Sequence, residues 1–168
     1  KNKKTIILGL NGWSERGHDA SACLTVGKKI IAFAEEERFT RKRYSYDSLP
    51  ISATAYCLQE AGLNVDDIDY VIYGWNLSKT YKMRRGRFPY TNWQILELIF
   101  PKNLYKYNKL PKLEFVDHHL AHAASSYRTS GFEEASILVL DGQGEDVSGT
   151  LAYGKNGEIK VISKIPIS

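Results

Sequence analysis

At 168 residues the chain has room for one ordinary domain, or for one domain and the opening strands of a second, but not for two complete α/β domains. Its apolar share of 43% and charged share of 25% are those of a globular protein, which excludes collagen-like, coiled-coil and low-complexity chains. The net charge of +4 is modest but uneven, with one basic cluster at Arg38, Arg41, Lys42 and Arg43 and another at Lys82, Arg84, Arg85 and Arg87; either suits an anionic ligand, phosphate above all, or is a solvated face.

Thr5 to Leu10 is a continuous apolar run ending at Asn11-Gly12, which reads as a buried strand and a turn. Ala20 to Val26 and Lys29 to Glu36 flank Gly27-Lys28 as the two arms of a hairpin. A helical period spans Pro50 to Ala61, with Ser48 marking its start and Gly62 its stop, and Asp69 to Gly74 is the next strand. Residues 75 to 111 turn aromatic, basic and irregular, as in an insertion with one short helix near Asn92 to Phe100. Leu113 to Val116 is a strand, after which Asp117 caps a helix from His119 to Ser130 that Gly131 closes. Ser136 to Leu140 (a strand), the Gly-rich loop Gly142-Gln143-Gly144-Glu145, and a hairpin of Ser148 to Tyr153 and Glu158 to Ile165 around Asn156-Gly157 complete the chain.

The last series repeats the first: strand, glycine-containing loop, hairpin. The repeat predicts an α/β fold of two related halves, the first complete in residues 1–132 and the second only begun in 133–168. No helix follows Ile165, so the apolar face of the new sheet is expected to be covered by more of the same polypeptide or by another chain. Apolar runs such as Ile137 to Leu140 have strand length, far below the roughly 20 residues of a spanning helix, and Lys1-Asn2-Lys3-Lys4 leads into too short an apolar stretch for a secretory signal. A cytoplasmic protein with no membrane partner is expected, its Cys23 and Cys57 reduced in the core.

Three of the four histidines lie in Asp117-His118-His119-Leu120-Ala121-His122. On a helix His118 and His122 share a face one turn apart, close enough to bind one cation, while His119 points elsewhere; capping or core histidines would show the same spacing. Asp141 ends an apolar strand, where it either caps the turn at Gly142 or joins the two imidazoles. Two histidines and a carboxylate make a facial set suited to iron(II), with manganese or zinc also possible. Gly142 opens a turn whose backbone N–H groups point toward phosphate oxygens, and Arg38, Lys42 and Arg43 are candidates to neutralise one. His18 and Asp19 sit in the loop after the first strand, where His18 is a candidate general base or holds a substrate hydroxyl.

Leu8 to Trp13 (LGLNGW), His18 to Ser21 (HDAS), Glu35 to Lys42 (EEERFTRK), Asp117 to Ser126 (DHHLAHAASS) and Leu140 to Glu145 (LDGQGE) together resemble the amino-terminal region of the O-carbamoyltransferases of antibiotic and nodulation-factor type, in order along nearly the whole chain. The resemblance implies an actin-like ATPase fold of two ribonuclease-H-like halves, and a longer protein whose further domain makes carbamoyladenylate from carbamoyl phosphate and ATP. It implies that His118, His122 and Asp141 bind iron, with a fourth ligand later in the chain. It places His18 beside the acceptor hydroxyl, with Asn11, Asp19, Arg43 and Gly142 as substrate-binding candidates. The implied partners are a small-molecule hydroxyl acceptor, carbamoyladenylate and the rest of the polypeptide, without which this stretch is expected to be inactive. An ATPase of the same fold would need no histidine pair. A tRNA-modifying protein would use the basic clusters, but no RNA-binding signature is present and nucleic acid is not the expected partner.

Overall fold

The computed structural model describes residues 3–15, 17–84 and 86–167. They form two packed units, Lys1–Tyr73 with Pro89–Glu114 and Gly74–Phe88 with Phe115–Ser168. These limits differ from a break at residue 132.

In the first unit, β1 (Ile6–Asn11), β2 (Ser21–Val26) and β3 (Lys29–Glu35) form an antiparallel meander. Leu8 and Leu10 pair with Leu24 and Ala22, and all four are buried. β4 (Tyr70–Tyr73) adds to β1 in parallel, and β5 (Lys112–Phe115) completes the order β3-β2-β1-β4-β5. A meander joined to a parallel strand beside β1 is the strand order of a ribonuclease-H-like half of the actin-like ATPase fold, so the expected α/β class holds.

A short helix α1 (Glu37–Thr40) follows β3, and α2 (Ile51–Ala61) packs on β2 and β3 through Ala53, Cys57 and Leu58. Ser48 does not start α2: its hydroxyl donates to the Tyr46 carbonyl. The first turn is capped by buried Glu36, whose carboxylate accepts from the N–H groups of Ser52 at 3.1 Å and Ala53 at 2.7 Å. Gly62 ends the helix in the left-handed conformation, at φ 62°, as its position predicted.

The segment read as an insertion holds two helices. α4 (Asn92–Ile99) has the capping box Thr91/Gln94 and buries Ile95, Leu96 and Ile99. α3 (Leu77–Arg84) was not expected, because Leu-Ser-Lys-Thr-Tyr-Lys-Met-Arg carries no apolar period; the Asn76 side chain starts it by accepting from the N–H of Lys79 at 3.1 Å.

In the second unit, β6 (Glu134–Gly144), β7 (Val147–Lys155) and β8 (Glu158–Pro166) form an antiparallel sheet. α5 (His118–Thr129) lays Ala123 and Tyr127 on Ile137, Val139 and Ala152. β7 has Gly154 under Tyr127, where a Cβ would stand 2.7 Å from the ring. On the opposite face Leu138 (63% exposed), Leu140 (70%), Leu151, Ile162 and Ile165 face outward. β6 runs three residues past Asp141, so the predicted Gly-rich loop is strand; the chain turns only at Glu145-Asp146, with Glu145 at φ 46°. No helix among the described residues is long and apolar enough to cross a membrane.

Candidate functional site

Two periodicities assemble the second unit's polar cluster. Along α5, His119, Ala123 and Tyr127 form the buried stripe, which leaves His118 and His122 one position round the helix. Along β6, Ile137 and Val139 point toward α5, and Asp141 shares their parity. The three side chains meet: Nε2 of His118 lies 2.9 Å from Nε2 of His122 and 3.1 Å from Oδ2 of Asp141, and the last two are 3.7 Å apart. These are the residues the sequence singled out, and they form one group able to hold a metal ion.

Nδ1–H of His118 donates to the Gly74 carbonyl at 3.1 Å, which leaves the lone pair on Nε2, aimed at the other two donors. The Trp75 indole stacks on the same ring with centroids 3.9 Å apart and planes at 23°. Burial holds the His118 imidazole below its usual range, only partly offset by the Gly74 hydrogen bond, so the neutral form is favoured. His119 does point elsewhere. It is buried against the sheet, with Nδ1 2.8 Å from the Thr150 hydroxyl, and burial lowers its pKa as well.

Asp117 occupies the expected cap position but its side chain does not cap the helix. Its carboxylate instead meets Asn76 Nδ2 at 3.3 Å and the Lys79 and Lys164 ammonium groups at 3.8 and 3.6 Å. The helix start is served by Glu145, which the sequence reading passed over. Only 2% exposed, it accepts from His118 N–H at 3.0 Å and Asn76 N–H at 2.9 Å. Burial raises its pKa, and the two N–H groups work against that rise. Gly142 is exposed in β6 and its N–H donates to Oδ1 of Asp141 at 2.6 Å, so it is engaged within the strand rather than in an open phosphate-binding turn.

The remaining candidates lie in the first unit. Nδ1 of His18 is 2.7 Å from Oδ2 of Asp19, and both side chains are more than half exposed. The Asn11 amide donates to the carbonyls of His18 at 3.2 Å and Asp19 at 3.0 Å, fixing the loop that carries the pair. That loop is tied to residues 44–47: Asp19 N–H donates to the Tyr44 carbonyl and Asp47 N–H to the Gly17 carbonyl. Asp19, Arg41, Tyr44, Ser45 and Asp47 all have positive φ, a concentration of strain of the kind functional loops retain. Arg43 lies over the Tyr44 ring, 4.7 Å from its centroid, and donates to the Tyr44 hydroxyl. Arg38 is paired with Glu35 at 2.8 Å and Glu37 at 3.5 Å and is not a free anion ligand. In the second basic cluster, Arg85 and the side chain of Arg84 lie outside the described residues.

The profile of a family described as the carbamoyltransferase N-terminus matches residues 7–168. The chain belongs to this family. It is 33% identical to the nodulation protein NolNO of Sinorhizobium fredii over 90% of this chain and 23% of that protein. It is 32% identical to an uncharacterized protein of Synechocystis over 92% of this chain and 28% of the relative. It thus spans about a quarter of the length of these curated relatives. Among solved structures, YeaZ from Pseudomonas aeruginosa matches with a TM-score of 0.49 and 15% identity, over 96% of this chain and 67% of that one.

Proposed function

We propose that this chain is the amino-terminal part of an O-carbamoyltransferase that moves a carbamoyl group from carbamoyladenylate, made from carbamoyl phosphate and ATP, to a hydroxyl of a small molecule. The observation that carries the reading is the convergence of His118, His122 and Asp141 within a carbamoyltransferase family member. The fit to a metal is good: three donor atoms 2.9, 3.1 and 3.7 Å apart lie on a circle of about 1.9 Å radius, inside the ~2.1 Å bond that nitrogen and oxygen ligands make to a divalent ion. Two neutral imidazoles and one carboxylate suit iron(II), with manganese or zinc as lesser fits. A cation bound there supplies positive charge to the phosphate side of the donor.

His18 is the residue assigned to the acceptor. With Nδ1 donating to Asp19, its Nε2 is left to take the hydroxyl proton. The acceptor oxygen then bonds to the carbamoyl carbon as the bond from that carbon to the adenylate phosphate oxygen breaks, releasing AMP. Asn11 and Asp19 hold the loop, and Arg43 offers an anion contact. The other metal ligand and the adenylate-forming step belong to the rest of the polypeptide. The test is the full-length protein with carbamoyl phosphate, ATP and a panel of hydroxylated sugars and antibiotics, read by mass for a carbamoyl gain. His122→Ala is expected to abolish both metal uptake and transfer, and retention of both would refute the assignment.

A further inference from the structure

Residues 74, 75 and 76 each reach His118 by a different route. Gly74 accepts from its ring nitrogen, Trp75 covers its ring face, and Asn76 shares with its backbone a single buried carboxylate. That carboxylate belongs to Glu145, at the β6–β7 turn. We propose that Glu145 is a positioning residue for the metal-binding imidazole, fixing the register between the first turn of α5 and the 74–76 segment so that His118 presents Nε2, and not Nδ1, to the cation. The proposal rests on the metal reading above for its purpose, but its geometry stands apart from it.

The bonding pattern is that of a bridge. Oε1 of Glu145 accepts from Asn76 N–H at 2.9 Å, while both oxygens lie within reach of His118 N–H, at 3.2 and 3.0 Å. The two backbones are joined through this one side chain, 2% exposed and screened from competing water. With the register held, the Gly74 carbonyl stands 3.1 Å from Nδ1 and selects the tautomer that carries its proton there. Without the bridge, the carbonyl and the ring edge are free to slide past one another, and either nitrogen can carry the proton. Asn76 also ties the same segment to Asp117 through its side-chain amide, so the cap residue, the carbonyl and the stacked indole form one support for one ring.

The test has a reading that needs no metal. In full-length protein labelled with 15N-histidine and freed of metal, the His118 signal, assigned by its loss in His118→Gln, reports which ring nitrogen is protonated. Wild type and Glu145→Gln, which keeps an acceptor oxygen, are expected in the Nδ1–H form, and Glu145→Ala in a mixture of both. Cobalt(II) affinity, read from the visible bands of the bound ion, is expected to fall by about 10- to 100-fold in Glu145→Ala and to stay within about threefold in Glu145→Gln. Should Glu145→Ala not fold, Glu145→Asp shortens the arm by one carbon and gives the same two readings. A folded variant lacking the bridge with an unchanged tautomer and unchanged cobalt affinity overturns the proposal. Wild type that holds the Nδ1–H form yet takes up no cobalt overturns the metal reading and leaves the bridge in place.

Discussion

Gly144 closes β6 opposite Val147, and the space a side chain would fill there is taken by its neighbours' rings. A Cβ at 144 would stand 2.3 Å from Cδ2 and 2.7 Å from Nε2 of His119, and 3.4 Å from Cδ2 of His118. The first two separations are far inside contact, so Gly144→Ala forces the His119 ring to move by about 1 Å or more. That ring is 2% exposed and bonded to Thr150 at 2.8 Å, so it cannot swing clear without giving up the bond. Overpacking of this kind costs about 1–3 kcal/mol and the lost hydrogen bond about 1 more. A total of about 2–4 kcal/mol lowers the melting temperature by about 4–16 °C for a domain of this size. The assay is thermal unfolding of the metal-free protein beside Gly142→Ala, two positions earlier on the same strand, where an added Cβ meets nothing within 4 Å. Gly142→Ala is expected to stay within about 0.5 kcal/mol of wild type. Equal melting temperatures for the two variants would refute the packing argument.

Glu36→Ala removes the carboxylate that receives two N–H groups of α2 and is expected to cost about 2–4 kcal/mol in urea unfolding, whereas Ser48→Ala, which loses no cap, is expected to change stability by less than about 0.5 kcal/mol. Alkaline pH should weaken the fold. Burial pushes the Cys57 thiol from 9.0 up to about 11, so the folded state keeps a proton that the unfolded chain gives up, and stability falls as pH rises between those values by at most about 3 kcal/mol. Buried Tyr73 and Tyr105 are raised too and add loss above their unfolded value of 10; urea midpoints at pH 8 and pH 10 that coincide would contradict this. At pH 8 the native Cys57 thiol is expected to resist a disulfide reagent that modifies it at once in urea. In the proposed transfer reaction, His18→Ala should lower kcat by about 100-fold or more while cobalt uptake is unchanged; loss of cobalt would instead place His18 at the proposed metal site.

Elements carrying a period were legible in the sequence to within a residue or two. β1, the β2–β3 hairpin, α2 and α5 all combine an apolar repeat with a glycine at the end, and each of those glycines settles in or beside a left-handed turn. α3 escaped because its sequence has no apolar face and, among its described side chains, only Leu77 is buried. Its start depends on the Asn76 side chain, a local signal that also marks many turns. The glycines at 142 and 144 misled for the converse reason: a strand needing close approach at Gly144 has the same residues as a phosphate-binding loop, and only the partner strand distinguishes them.

The same distinction runs through the site. His118 and His122 follow from the helical repeat, and Asp141 from the alternation that turns Ile137 and Val139 toward α5, so a reader of the sequence alone can bring the three together. Glu36 and Glu145 obey no such rule. Each is an acidic residue just past the end of a strand, where solvent exposure is the ordinary expectation, and each is buried because it serves backbone N–H groups far away in sequence: Ser52 and Ala53 for one, Asn76 and His118 for the other. A helix start lacking a capping side chain of its own offers unpaired N–H groups and the positive end of its dipole, and a distant carboxylate answers both needs at once. The missing local cap at Pro50 and the diverted carboxylate of Asp117 are therefore the marks by which such partners can be sought, and in α5 that search leads from the helix start to Glu145, which accepts from the His118 N–H.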